Sequence, residues 1–200
     1  MSKKDKIGVI HGRFQPLHNG HMKDLVLPAA EQCEHLIVGI ANPDPLLTAP
    51  HPANPVRAQS DSNPFTFYER ATMIRSTLVA IGMKEGQLTI VPFPINRPEL
   101  LKHYVPFDAT FYVTVYDDWT RYKKELLESL GLKVVVIFDC QRDQQDFSAT
   151  LVRKRMASGG DWKSLVPEAV ATFVCENHLE ERLKRIRDIS EQGYQSGELS

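Results

Sequence analysis

Short apolar, β-branched runs alternate along this chain with stretches of helical periodicity. The runs are Lys6–Ile10, Leu36–Ala41, Leu88–Phe93, Thr110–Val115 and Lys133–Phe138. Near-continuous apolar character, rather than strict alternation, marks strands covered on both faces. Between the first two, His21–Cys33 places Met22, Leu25, Val26 and Ala29 on one helical face. Pro28 is expected to kink that helix, because it lacks an N–H and crowds the carbonyl of Asp24. Thr66 and Glu69 form a capping-box pattern ahead of a helix over Phe67–Ile81, which stops at Gly82. Ile95–Pro106 holds a short helix at best. Trp119–Leu130 is amphipathic and ends at Gly131.

After the fifth run comes a polar loop, Asp139–Asp146, and then a short helix capped by Ser148 or Thr150 that stops near Gly159-Gly160. Pro167 stands near the first position of a further helix. A charged helix over Leu179–Ile189 is expected to pack across the domain or against another subunit. Five strands alternating with helices predict an α/β fold: a doubly wound, five-stranded parallel sheet with C-terminal helices. Its first strand would be central, with the switch point beside it. The expected organisation is one domain over 1–165, a helical extension of it over 166–192, and a fraying, disordered tail over 193–200.

The segment Asn42–Pro64 breaks the pattern. It has prolines at 43, 45, 50, 52, 55 and 64 and no periodicity. It follows the C-terminal end of a strand, the edge where α/β folds bind ligands. A substrate-covering lid is one reading and a floppy insertion the other. His51 and Arg57 within it are placed to reach a phosphate.

Composition narrows the field. A formal net charge of −1 offers no basic field for nucleic acid, and no apolar stretch approaches a membrane span. The basic start leads into a five-residue strand, so it does not read as a signal peptide. Three widely spaced cysteines, Cys33, Cys140 and Cys175, suit neither a metal site nor a disulfide framework. They fit a reducing cytoplasm.

The candidate chemistry begins directly after the first strand, at Gly12-Arg13-Phe14-Gln15-Pro16-Leu17-His18-Asn19-Gly20-His21. A strand that turns into a helix presents backbone N–H groups to an anion. Two imidazoles and a guanidinium on that turn point to phosphate. The Asn19-Gly20 pair is expected to turn tightly, so that both rings face one ligand. Ser148 and Thr150 form a second cradle at a helix start, with Arg153 projecting from its first turn.

The first stretch resembles the phosphate-binding signature of the nucleotidyltransferase superfamily, whose hallmark is His-x-Gly-His, here His18-Asn19-Gly20-His21. Phe147–Arg153 resembles the second signature of these transferases. Asn63-Pro64-Phe65-Thr66, Glu69-Arg70, Gly160-Asp161-Trp162 and Val166-Pro167 narrow the likeness to archaeal-type nicotinamide mononucleotide (NMN) adenylyltransferases. The resemblance implies a Rossmann-like fold, synthesis of NAD from NMN and ATP with Mg²⁺, and a homo-oligomer. It gives catalysis to His18, His21 and Arg153, and nucleotide phosphates to Gly12, Arg13, Phe14, Gln15, Gly20, Ser148 and Thr150. It implies no metal ligand from a side chain.

The acceptor side departs from that family. Ser62 and Asn63 stand where the archaeal enzymes carry an arginine, and Ile95-Asn96-Arg97-Pro98 lacks their nicotinamide-stacking tryptophan. Asp117-Asp118-Trp119 resembles instead the Asp-Asp-Trp of glycerol-3-phosphate cytidylyltransferases. Arg57, Asn96, Arg97, Tyr104, Asp117 and Trp119 are the candidate acceptor contacts; an exposed carboxylate favoured by the helix dipole and simple core packing are the plainer readings of the last two. The expectation is an NMN or nicotinate mononucleotide adenylyltransferase. The alternatives are a cytidylyltransferase acting on a small phosphorylated alcohol or sugar, and a non-catalytic nucleotide-binding regulatory domain.

Overall fold

The computed structural model describes residues 3–48, 60–139 and 148–197. The five strands form one all-parallel sheet in the order β3-β2-β1-β4-β5. They are β1 (Asp5–Gly12), β2 (Cys33–Ile40), β3 (Leu88–Pro92), β4 (Thr110–Val115) and β5 (Lys133–Asp139). The first strand is central, and the winding reverses between it and β4. Alternate residues of each strand face opposite ways, so Ile10, Val38 and Tyr112 enter one apolar layer while Val9, Ile37 and Phe111 enter the other. The first layer is closed by α3 (Phe67–Ala80), α5 (Ala149–Ser158), α6 (Glu168–Glu176) and α7 (Leu179–Gly197). The second is closed by a 3-10 turn over Pro98–His103 and by α4 (Asp118–Ser129).

The first helix differs from expectation. It starts earlier, as α1 (Asn19–His21), passes through a π-turn over Met22–Val26, and continues as α2 (Leu27–Gln32). Within the π-turn the Leu27 N–H reaches the Met22 carbonyl. This local widening absorbs the donor that Pro28 lacks. Cys33, expected in the helix, is instead the first residue of β2. At the other end of the chain, α7 runs past Ile189 and through most of the stretch expected to fray. Among the described residues, no helix is long and apolar enough to cross a membrane.

The sheet splits where its winding reverses. β1 and β4 pair only at Gly8–Thr110 and Val9–Phe111, although β1 continues to Gly12 and β4 to Val115. Beyond those pairs the ladder between the two strands stops, at the C-terminal edge where parallel sheets of this winding take ligands.

One buried guanidinium ties the elements around that edge together. Arg70, on α3, is only 2 % exposed. Its Nη1 donates to the carbonyls of Arg13 at 2.9 Å and Ala41 at 2.8 Å, Nη2 to that of Asn42 at 2.7 Å, and Nε to that of Thr66 at 3.1 Å. Burial lowers its pKa to about 10, still well above neutrality. Arg70→Met leaves these carbonyls without a charged donor. It is expected to cost at least about 3 kcal/mol, since each buried polar group left unsatisfied costs roughly 1–3 kcal/mol. Urea unfolding checks this, and a loss under about 1 kcal/mol would contradict the role given to Arg70.

Candidate active site

The ten-residue stretch after β1 folds back on itself before it becomes a helix. Phe14 adopts a left-handed backbone (φ 49) and turns its ring over Gly12, where an added Cβ would lie 2.9 Å from ring carbon. The Phe14 side chain is buried and meets the His21 ring edge-on, with centroids 5.0 Å apart. It therefore supports a histidine and presents no side-chain surface to a ligand. Asn19 and Gly20 do not form the expected tight turn. They make the first turn of α1, with Gly20 buried.

His18 caps that helix. Its Nδ1 accepts the His21 N–H at 3.2 Å. An accepting Nδ1 leaves the imidazole proton on Nε2, as an N–H donor. The i,i+3 spacing stacks the two rings, with centroids 3.7 Å apart and planes 27° from parallel. Burial, and then the positive charge of Arg153, lower the His18 pKa to about 4. Near neutral pH His18 is thus an uncharged donor beside a permanent cation.

The second motif is fastened to the first. Ser148 caps α5, its Oγ accepting the Leu151 N–H at 3.1 Å. Arg153 is buried, donating from Nη1 to the Gln15 carbonyl at 2.9 Å and from Nη2 to Thr150 Oγ1 at 3.4 Å. Ser148 and Thr150 remain exposed at the helix start. Gln15 is fully inside, where its amide pairs both ways with the backbone of Phe65: Nε2 to the carbonyl at 3.0 Å, and the Phe65 N–H to Oε1 at 2.9 Å. Arg13 donates to the Ser62 carbonyl at 3.2 Å and Asn19 to the Ser164 carbonyl at 3.0 Å. Arg13, His18 and His21 thus lie on one tightly held turn, to which Arg153 of α5 is bonded. The structure gives Gln15 and Phe14 holding roles that sequence reasoning did not assign.

The candidate acceptor residues are placed differently. Asn96 donates to the Leu47 carbonyl at 3.4 Å, which ties the end of β3 to the segment after β2. Arg97 is exposed and paired with Glu99 at 2.6 Å. Tyr104 is half-buried against the second apolar layer. Asp117 caps α4 by accepting the Thr120 N–H at 2.8 Å, and Trp119 is buried in the core, stacked on Tyr122. Trp119 thus occupies the core position of its plainer reading, while Asp117 is half-buried and caps α4 rather than standing as an exposed carboxylate. Arg57, His51, Cys140 and Phe147 lie outside the described residues. The two ends of the proline-rich segment meet, with Asn42 Nδ2 3.3 Å from Asn63 Oδ1. Among the described residues, no three His, Cys, Asp or Glu side chains gather around a point that a cation could fill.

Sequence reasoning assigns no role to Arg70 beyond its place in a motif, and none to His11. His11 is 5 % exposed, near the C-terminal end of β1 on the second apolar layer, and stacks on Phe93 with centroids 4.6 Å apart. Phe93 reaches it by lying over Gly39, where an added Cβ would come within 2.5 Å of its ring. A lone polar residue in an apolar strand was the available signal for His11.

Comparison with known proteins agrees with this geometry. A family model described as cytidylyltransferase-like matches residues 9–155. The phosphonoformate cytidylyltransferase of Streptomyces viridochromogenes is 47% identical over 177 residues, covering 88% of this chain and 95% of that protein. The nicotinamide-nucleotide adenylyltransferase of Thermococcus onnurineus is 33% identical over 182 residues, covering 90% of this chain and 88% of that protein. Among solved structures, a bifunctional NMN adenylyltransferase/ADP ribose pyrophosphatase from Francisella tularensis superposes with a TM-score of 0.67 at 17% identity. It is matched by 98% of this chain, which spans 57% of that longer one, and the likeness speaks for the fold alone.

The state of His18 has a consequence for stability. Its pKa is lower folded than unfolded, so the unfolded chain takes up the proton first as pH falls. Its contribution is fully present above pH 6.5 and is lost as pH falls toward about 4. The loss is expected to reach roughly 3 kcal/mol. His18→Asn keeps a capping side chain but cannot titrate. Urea unfolding at about pH 7.5 and about pH 4.5 should show a smaller pH-dependent loss in this variant than in the wild type. Equal losses would show that His18 is not the titrating group.

Proposed function

The chain belongs to the cytidylyltransferase-like family of nucleotidyltransferases, and on that footing we propose that it transfers CMP from CTP to a small phosphonate- or phosphate-bearing acceptor, releasing pyrophosphate. The observation that carries the cytidylyl reading is the 47% identity, over nearly the whole length of both chains, to a phosphonoformate cytidylyltransferase. The acceptor side supports it. No tryptophan stands between β3 and β4, and directly after β3 Phe93 and Ile95 are buried while Asn96 is tied to the backbone of Leu47. That arrangement suits a compact anion better than a second nucleoside. Synthesis of NAD from NMN and ATP is the second reading, favoured by relatives such as the Thermococcus adenylyltransferase at 33% identity.

The chemistry asks little of a base. An oxygen of the acceptor anion attacks the α-phosphorus in line. The bond from that phosphorus to the bridging oxygen of the β-phosphate breaks, and its electron pair leaves with pyrophosphate. The protein has to align two polyanions and stabilise charge that grows on the α-phosphate oxygens and the leaving group. In this reading Arg153 and Arg13 supply fixed positive charge, His18 donates its Nε2–H, and His21 is held against it. The start of α5, with Ser148 and Thr150, receives the far phosphates. Mg²⁺ arrives as part of the nucleotide substrate, held by phosphate oxygens and water.

Pyrophosphate release is the direct test, with CTP or ATP, Mg²⁺, and phosphonoformate or NMN as acceptor. Release is expected with CTP and phosphonoformate. Release only with ATP and NMN would replace the cytidylyl reading with the adenylyl one, and none with any pair would favour a binding module. His21→Ala should lower turnover by roughly 10²–10³ while the protein remains folded, the usual loss for a transition-state contact.

A further inference from the structure

Helix α7 reaches across the chain to the exit of the proline-rich segment. Arg182 grips the Glu69 carboxylate with two parallel bonds, Nη1 to Oε2 at 2.8 Å and Nη2 to Oε1 at 2.7 Å. Nη1 also donates to the Pro64 carbonyl at 3.1 Å. Only a planar guanidinium serves a carboxylate and a carbonyl in this way. The same carboxylate accepts the Thr66 N–H at 2.8 Å, closing the capping box of α3. Burial alone would raise the Glu69 pKa, yet the bonds from Arg182 and Thr66 bring it below the ordinary value.

The residue after Pro64 is Phe65, whose N–H and carbonyl are both taken by the Gln15 amide. The Gln15 carbonyl in turn holds Arg153. A continuous series of polar contacts thus runs from α7 through Pro64–Phe65 and Gln15 to the guanidinium of the second motif. Docking of α7 does not depend on Arg182 alone. Leu179 and Leu183 are buried, Glu180 accepts from Trp162 Nε1 at 2.8 Å, and Arg187 donates to the Ala157 carbonyl at 2.7 Å.

We propose that Arg182 is a positioning residue of the nucleotide site: through Pro64–Phe65 it fixes Gln15, and through Gln15 it fixes the guanidinium of Arg153. This rests on the reading of Arg153 as a triphosphate-binding group. The last helix is then part of the phosphate cradle, although it contributes no group to the cradle itself.

Calorimetric binding of CTP and of ATP, each with Mg²⁺, to the full-length protein tests this without reference to the acceptor. Arg182→Met is expected to weaken nucleotide binding about tenfold, within the range found for residues that act on a site through others. Glu180→Leu removes the acceptor of Trp162 Nε1, another anchor of the same helix, and should lower the melting temperature comparably while keeping wild-type affinity. In a Gln15→Ala background, Arg182→Met should add less than about a twofold loss, because the link is already broken. Arg182→Lys keeps the charge without the fork, and an intermediate loss of about threefold is expected even if the methionine variant does not fold. Wild-type affinity in Arg182→Met or Arg182→Lys would overturn the proposal, as would losses that multiply in the double variant. A wild-type protein that binds neither nucleotide would instead reject the underlying reading of the site.

Discussion

Burying a guanidinium is unfavourable unless its donors find partners, and Arg70 finds them only if several parts of the chain are in place together. Its carbonyl partners belong to the turn after β1, the end of β2 and the N-cap of α3. None of these is near another in sequence. Satisfying one cation therefore fixes where the first phosphate-binding turn leaves the sheet. It also fixes where the proline-rich segment begins and the angle at which the next helix starts. The carbonyls of Arg13, Ala41 and Asn42 benefit too, since they lie just past strand ends where the ladder has stopped.

From that anchor the site is assembled by contacts that hold rather than bind. Gln15 pairs with Phe65, Arg153 bonds to Gln15, Asn19 bonds to Ser164, and Phe14 supports His21. The result is a pair of stacked imidazoles with a defined proton position next to a buried arginine. Such an arrangement suits a reaction in which charge develops on phosphate oxygens and the catalyst has little proton transfer to perform. A neutral His18 can donate without being expelled by its cationic neighbour, and the cation supplies the field that the imidazole does not.

The two groups of candidate residues have different characters. Those of the two phosphate motifs lie on a tightly held turn and a helix start. Those proposed for the acceptor have side chains that serve the fold first, with Asp117 as a cap, Trp119 as core and Asn96 as a brace. Relatives at 47% and 33% identity bear names for different acceptors, phosphonoformate in one and a nicotinamide nucleotide in the other. Loops and strand ends can change there while the phosphate cradle stays.

The sequence by itself determined the strand order of appearance, the parallel sheet and the two phosphate motifs. These depend on local pattern: apolar runs, capping residues, and histidines at a fixed spacing. It also exposed the proline problem in the first helix. Only the tertiary structure decided that a π-turn would absorb it, that Asn19-Gly20 would be helix rather than turn, and that Phe14 would be a support. It alone revealed the work of Arg70, His11 and Arg182, because their partners lie far away in sequence. No periodicity carries information about a buried side chain whose stability rests on carbonyls contributed by two distant segments as well as by the cap of its own helix.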